Sequence, residues 1–232
     1  MDTFTLTDYE VTALQLSLKV AFTAVIVSLP AGIGCAWLLA RGRFWGKSLL
    51  DGLVHLPLVL PPVVIGYLLL VMMGRQGVIG AYLYDWFGIT FGFSWRGAVL
   101  AVAVVAFPLM VRAIRLALEN VDPKLEQAAR TLGASPVKVF LTITLPLMLP
   151  GILTGTVLAF ARALGEFGAT ITFVSNIPGE TQTIPLAMFS FIETPGAEAE
   201  AARLCVIAIM IALLSLMIAE WLARAARKRV GH

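Results

Sequence analysis

An uncharged stretch, residues 20–40, constrains this fold more than any other feature of the sequence, and Arg41, Arg43 and Lys47 follow it closely. About 20 consecutive apolar residues are enough for a helix to cross the hydrocarbon core of a bilayer, where only helices and closed barrels satisfy their backbone groups. Charged residues make up 13% of the 232 residues and hydrophobic residues 59%, whereas a soluble domain has about 25% charged residues. We therefore predict an all-α integral membrane protein, built as a polytopic helical bundle.

Further apolar runs predict five membrane spans in a single domain over residues 1–232, with a core at about 11–222. The expected spans are 20–40, 53–73, 97–111, 139–161 and 204–219. The third is short, and it completes the crossing only if Arg112 and Arg115 extend to the lipid headgroups. Residues 167–178 are apolar but too few to span the membrane, so we expect a re-entrant or gate segment there.

The distribution of Lys and Arg predicts the orientation in the membrane. Three lie in residues 41–47, five in 112–138 and four in 224–232, so that one side has twelve. The other side has four, which are Arg75, Arg96, Arg162 and Arg203. Because basic flanks stay in the cytoplasm, we expect the N-terminus outside and the C-terminus inside. The acidic N-terminal residues lack the basic region of a cleavable signal, so the first span is expected to remain as an anchor.

A charged island at residues 121–146 interrupts the apolar pattern. Asp122 and Pro123 suit a helix start and Gly133 suits a left-handed stop, so the sequence predicts a short helix over residues 123–132. Ser135 and Pro136 repeat the start signals for a second helix. The island therefore predicts a helix-turn-helix elbow at the membrane surface. The first helix has an apolar stripe with small residues at its centre, formed by Leu125, Ala128, Ala129 and Leu132.

The elbow resembles the cytoplasmic signature of the permease subunits of ABC importers. That signature reads E-A-A, three residues, G, nine residues and then I-x-L-P. Its positions are occupied here by Gln127, Ala128, Ala129, Gly133, Ile143, Leu145 and Pro146. One position departs from the signature, because Gln127 stands in the first place and Glu126 comes one residue earlier. Which of these two residues takes the acidic role is left open by the sequence.

Two further stretches, HLPLVLPPVVIGYLLL from His55 and ARALGEFGATITF from Ala161, resemble the permeases of the molybdate, tungstate and sulfate group. The resemblance extends over nearly the whole chain and is closest to the molybdate permeases. It implies the transmembrane fold of type I ABC importers, a location in the inner membrane with a periplasmic N-terminus, and import of molybdate and also tungstate. A sulfate or thiosulfate permease of the same family is the alternative.

The resemblance also implies partners. In the family the elbow is the coupling helix, which seats in a groove on the ATP-hydrolysing subunit. This assigns coupling to Leu125, Glu126, Gln127, Ala128, Ala129, Leu132 and Gly133. The chain lacks a G-x-x-x-x-G-K-[ST] phosphate loop, so we expect no enzymatic activity, catalytic residue, metal or cofactor in it, with ATP and Mg²⁺ bound by a separate ATPase. The expected assembly is a homodimer with two cytoplasmic ATP-binding subunits and a periplasmic oxyanion-binding protein, in the lipid bilayer and without nucleic acid.

The substrate path has to be built without fixed positive charge, because no Lys or Arg lies deep within an expected span. A tetrahedral dianion would then pass along backbone N–H groups and hydroxyls. The candidate residues for the path or its gate are Thr154, Thr156, Glu166, Thr170 and Thr172. For Glu166, an ion pair with Arg162 one helical turn away is the structural alternative. For His55 we expect a hydrogen bond to a backbone carbonyl, and for Gly151 and Gly155 close helix packing.

Two other functional classes fit the sequence less well. An ion-coupled secondary transporter usually shows inverted repeats and buried carboxylates, and an intramembrane enzyme needs a nucleophile with a base, or a metal cluster. Neither pattern is found in the five expected spans, and Cys35 and Cys205 have no neighbouring metal ligand in the sequence.

Overall fold

The computed structural model describes residues 6–230, and within that range every regular element is helical. The helices are α1 (Asp8–Arg41), α2 (Lys47–Val59), α3 (Pro62–Met73), α4 (Gly80–Phe87), α5 (Trp95–Glu119), α6 (Pro123–Thr131), α7 (Pro136–Val139), α8 (Leu145–Leu164), α9 (Gly168–Val174), α10 (Ile184–Ile192) and α11 (Glu198–Val230), with a π-helical turn (Phe140–Thr144) between α7 and α8. The side chains of residues 226–230, and with them most of the basic tail used to predict the orientation, lie outside what is described. The predicted all-α class is confirmed.

Four of these helical stretches are long and apolar enough to cross a membrane: α1, α5, the continuous run Pro136–Leu164, and α11 as far as Leu222. A fifth crossing is available if α2 and α3, which are bent by 115° at their junction, count as one broken span. The predicted spans all lie inside these elements.

The ends of the helices decide between four and five crossings. Arg41, the last residue of α1, donates from Nη2 to the carbonyl of Val121 at 3.0 Å, just beyond the end of α5. The two helices therefore run in the same direction and end on the same side. The chain between them has to cross back once, and α2 with α3 is the segment that can do so. On the opposite side Glu10 near the start of α1 pairs with Arg203 near the start of α11 at 3.0 Å, so these two helices begin on the same side of the bundle.

The second predicted span is not one helix. Pro61 and Pro62 follow Leu60 directly, and both Leu60 and Pro61 have extended ψ angles of 141° and 133°. A proline has no backbone N–H and disfavours helical geometry in the residue before it, so two in succession end α2 and start α3. The predicted second span, 53–73, is therefore divided between two helices.

The third predicted span was too short. Helix α5 begins at Trp95, where Ser94 caps it by accepting from Gly97 N at 3.3 Å, and it continues through Arg112 and Arg115 to Glu119. Arg115 does not depend on lipid headgroups, because its guanidinium pairs with Asp51 at 3.0 Å and with Glu119 at 2.8 Å. The helix thus tolerates these charges by pairing one of them within the protein.

Helix α1 starts earlier than expected, at Asp8, because Thr7 and Glu10 form a capping box in which each side chain accepts a backbone N–H of the other residue. Helix α5 is the centre of the bundle and packs against α1 and α8. A Cβ at Gly151 would collide with Ala117, and one at Gly155 would lie 3.0 Å from the Met110 carbonyl. The predicted close packing at these glycines is confirmed.

Candidate functional site

The elbow, residues 121–146, has the two helices that its sequence predicts. Asp122 accepts from Lys124 N at 2.9 Å at the start of α6, and Ser135 accepts from Lys138 N at 3.4 Å at the start of α7. Between them Gly133 has φ +85°, a conformation that L residues with a side chain avoid. The caps and the stop are local interactions, which is why the sequence was sufficient to predict them.

A π-helical turn joins the elbow to the span that follows. It covers Phe140–Thr144 and precedes Pro146, which cannot donate a backbone hydrogen bond to Thr142 and whose ring crowds that carbonyl. A wider turn relieves this conflict without ending the helix. The elbow is thereby continuous with α8, and a displacement of one is passed to the other.

Glu126 points into the helical bundle. Its Oε1 accepts from Thr144 Oγ1 at 2.9 Å and lies 3.4 Å from Arg41 Nη2, and its side chain is 17% exposed. Gln127, in contrast, is exposed. The acidic group adjacent to the signature therefore binds the ends of α1 and α8, and Gln127 is the one of the two that faces outward.

The apolar stripe of α6 is uncovered. Leu125 is 47% and Leu132 is 88% exposed, and Ala128 between them is also exposed. Ala129 is half-buried. Apolar side chains held on the outside of a polar surface helix commonly mark an interaction site. The stripe is therefore available as a contact surface.

Residues 167–178 contain α9, a helix of 7 residues that is too short to span a membrane. It packs between α3 and α5, so closely that a Cβ at Gly66 would lie 2.6 Å from the Ala169 carbonyl. Its Ala169, Thr170, Phe173 and Val174 are buried. This arrangement agrees with the predicted re-entrant segment.

Glu166 anchors this segment. The carboxylate is 1% exposed, pairs with Arg162 Nη1 at 2.7 Å and accepts from Ala169 N at 2.7 Å. The structural alternative for Glu166 is thus confirmed, and both carboxylate oxygens are engaged by the protein. A role for Glu166 at the gate stays a prediction.

The hydroxyls of the four candidate threonines donate hydrogen bonds to backbone carbonyls about one helical turn away. Thr154 donates to Pro150 O, Thr156 to Ile152 O, Thr170 to Phe167 O and Thr172 to Gly168 O, each at 2.7–2.8 Å. In this conformation the hydroxyls present lone pairs rather than donors, which suits an oxyanion poorly. Thr154 borders a cavity of about 610 Å³ together with Arg112, whereas Thr170 is fully buried. The structure does not bring these threonines into one lining.

Two polar groupings were missed at the level of sequence. His55 Nδ1 lies 2.9 Å from the carbonyl of Asp51, the hydrogen bond expected for this histidine, and 3.1 Å from the Asp51 carboxylate. These residues and Arg115 line a cavity of about 540 Å³ between α2 and α5. The second grouping joins Asn176 to Ser190 and Gln182 to Asn176, each at 2.8 Å. Isolated polar residues in an apolar run were the signal for the first grouping, whereas the second begins in the polar stretch 175–183.

No group of three or more His, Cys, Asp or Glu residues arranged for a metal occurs within residues 6–230. The cysteines at positions 35 and 205 are unpaired and half-buried, which agrees with a packing role.

Comparison with known proteins places this geometry in context. The profile of the family described as "Binding-protein-dependent transport system inner membrane component" matches residues 28–232. The chain is 72% identical over 227 residues to the molybdenum transport system permease protein ModB of Escherichia coli strain K12, covering 98% of this chain and 99% of that one. It is 69% identical to ModB of Haemophilus influenzae, covering 96% and 97%. Identity to the sulfate transport system permease protein CysT of Salmonella typhimurium is 36%, covering 96% and 80%.

Solved structures share the fold at low sequence identity. The MetNI methionine ABC transporter in an inward-facing conformation aligns with a TM-score of 0.72 at 15% identity, covering 95% of this chain and 99% of that one. A bacterial ABC transporter that imports the acidic polysaccharide alginate aligns with a TM-score of 0.74 at 17% identity, covering 95% and 80%. At such identities the likeness concerns the fold alone.

Proposed function

The chain belongs to the binding-protein-dependent transport system inner membrane components, and from that premise we propose that it is the permease subunit of an ABC importer for molybdate. The assignment of molybdate as the substrate rests on the identity of 72% to a molybdenum permease over nearly the full length of both chains. The sulfate alternative is less well supported, because identity to the sulfate permease is half as high. Tungstate, a tetrahedral dianion of nearly the same size, is expected to follow the same path.

The elbow is the part of the chain on which ATP hydrolysis by a partner is expected to act. The uncovered stripe of α6 supports contact with an ATP-binding subunit in the cytoplasm, where ATP and Mg²⁺ are bound. Leu125, Ala128 and Leu132 provide a small apolar surface, and Glu126 fixes α6 to α1 and α8 from behind. A push or pull on α6 is then passed to these two spans. This assigns the ATPase activity to the partner and the membrane path to the permease.

The path itself is expected on the two-fold axis of a homodimer. Helix α2 has no buried residue, although it has Asp51 and His55 on its surface. Polar side chains within a membrane span normally face protein or a water-filled cavity rather than lipid. A second copy of the chain packed near α2 and α3 would cover these helices and enclose the cavity beside Arg115.

The orientation follows from the same partners. With the elbow in the cytoplasm, the N-terminal end of α1 and the loops around α4 and α10 face the periplasm of a cell with an inner membrane. There they are available to a binding protein that delivers the oxyanion. Since no Lys or Arg lies deep within an expected span, selectivity is expected to reside mainly in that binding protein.

The test is ATP hydrolysis by the complex of permease and ATPase in lipid nanodiscs, with the binding protein exchanged. We expect molybdate with its own binding protein to stimulate hydrolysis, and sulfate to do so only with a sulfate-selective binding protein that still docks. Failure of molybdate to stimulate hydrolysis would contradict the proposed function. If a docked, sulfate-loaded binding protein gives no stimulation, the permease itself has a selectivity filter and that part of the proposal is wrong.

A further inference from the structure

A groove lies between the last turns of α1 and the elbow, and nothing within residues 6–230 fills it. Its volume is about 470 Å³, and its walls include Ile33 and Trp37 of α1 and Val137 and Phe140 at the start of the following span. Trp37 is 45% and Val137 is 68% exposed. A cavity of this size, mostly apolar and with a few polar groups, is typical of sites for small ligands.

Arg130 lines the groove together with Glu126 and Thr144. It follows Glu126 by four residues, so the two side chains leave the same face of α6. Glu126 is engaged by Arg41 and Thr144. For the exposed Arg130 guanidinium, by contrast, the described part of the chain offers no ion pair and no side-chain hydrogen bond. The groove therefore combines an apolar wall with one uncompensated positive charge.

With the elbow in the cytoplasm, as proposed above, the groove opens toward the inner leaflet of the bilayer. Helix α1 is a membrane span that stops at Arg41, one turn after Trp37, and tryptophan prefers the boundary between lipid and water. Helix α6 lies beyond that boundary. An occupant would thus have its apolar part beside the span and an anionic part at the level of Arg130, which is the arrangement of a phospholipid.

We propose that this groove binds one anionic phospholipid, with an acyl chain along Ile33, Trp37 and Phe140 and the phosphate on Arg130. Charge complementarity favours an anionic over a zwitterionic headgroup. The site does not depend on what the protein transports. It places a lipid in contact with both α1 and the elbow, whose relative position the Glu126 contacts also determine.

The test is native mass spectrometry of the full chain released from detergent, after titration with phosphatidylglycerol or phosphatidylethanolamine of identical acyl chains. We expect one phosphatidylglycerol to be retained per chain, with about five-fold preference over phosphatidylethanolamine, the ratio expected for one basic group at an anionic surface. Arg130→Gln should abolish the preference. Lys124→Gln, on the other side of α6, removes one charge without facing the groove and should retain the preference.

A second pair of variants tests the apolar part. Gly34 lines the groove, and a Cβ there meets no atom within 4 Å, so Gly34→Phe should fill the space and reduce retention of both lipids, whereas Gly34→Ala should not. A photoreactive residue at Val137 should cross-link to lipid. Unchanged preference in Arg130→Gln, unchanged retention in Gly34→Phe, or cross-linking of position 137 to a protein chain would overturn the proposal.

Discussion

Thr144 donates a hydrogen bond of 2.9 Å to Glu126, and this bond ties helix α6 to the span that follows it. The same carboxylate oxygen lies 3.4 Å from Arg41, which in turn donates to the Val121 carbonyl at 3.0 Å. Helix α6 cannot tilt without breaking these contacts or moving the ends of α1, α5 and α8. Glu126 therefore positions α6 and is not part of its outward surface.

Removing this carboxylate should uncouple the protein. Glu126→Ala leaves Arg41 half-buried without its ion-pair partner and should lower the free energy of unfolding by about 2 kcal/mol. In the assembled transporter we expect ATP hydrolysis to continue while molybdate uptake falls at least ten-fold. Gln127→Ala is the matched control and should keep the wild-type ratio of ATP hydrolysed to molybdate transported. An unchanged ratio in Glu126→Ala would show that the contact has no role in coupling.

At the turn after α6, the backbone conformation that a substituted residue can adopt should matter more than the size of its side chain. A Cβ at Gly133 meets no atom within 4 Å, but its φ is +85°. Gly133→Val forces a β-branched residue into this region, so we expect a cost of about 1–3 kcal/mol and loss of uptake. Gly133→Asn should be nearly neutral because asparagine accepts this conformation. Equal uptake by both variants, measured at matched membrane levels, would be evidence against the strain.

Two substitutions of Glu166 should separate the contribution of its charge from that of its hydrogen bond. Glu166→Ala removes the partner of Arg162 and the acceptor of Ala169 N together, with an expected loss of about 3–5 kcal/mol for a buried pair. Glu166→Gln can still accept from Ala169 N and should cost less. Thermal unfolding of the detergent-solubilised protein measures both. A Gln variant as unstable as the Ala variant would indicate that the ion pair dominates.

The proposed homodimer predicts a cross-link along the broken second span. Val59 at the end of α2 is 82% exposed, and under the proposed arrangement it lies near its symmetry mate. In a background with Cys35 and Cys205 replaced by alanine, Val59→Cys should form a disulfide-linked dimer in membranes. Phe22→Cys, on the exposed side of α1, is the control and should stay monomeric. Monomers alone at several positions of α2 and α3 would argue against the interface.

Local signals and long-range contacts explain which parts of this molecule its sequence could predict. The elbow follows from Asp122, Gly133 and Ser135, whose effects lie within four residues of each. The break after Leu60 was signalled by two prolines, but the angle of 115° depends on packing against other helices. The direction of Glu126 depends on Arg41, which is 85 positions away. No periodic pattern or motif in the sequence relates two residues that are so far apart.

The most direct test of the account is uptake of radiolabelled molybdate into proteoliposomes that contain the permease and its ATPase, with the loaded binding protein on the outside and ATP inside. We predict uptake that requires ATP and persists when ion gradients are collapsed. Ala128→Asp, which places a charge on the exposed stripe of α6, should insert normally and abolish this uptake. Uptake without ATP that follows an ion gradient, or full activity of Ala128→Asp, would contradict the claim that ATP drives this permease through its coupling helix.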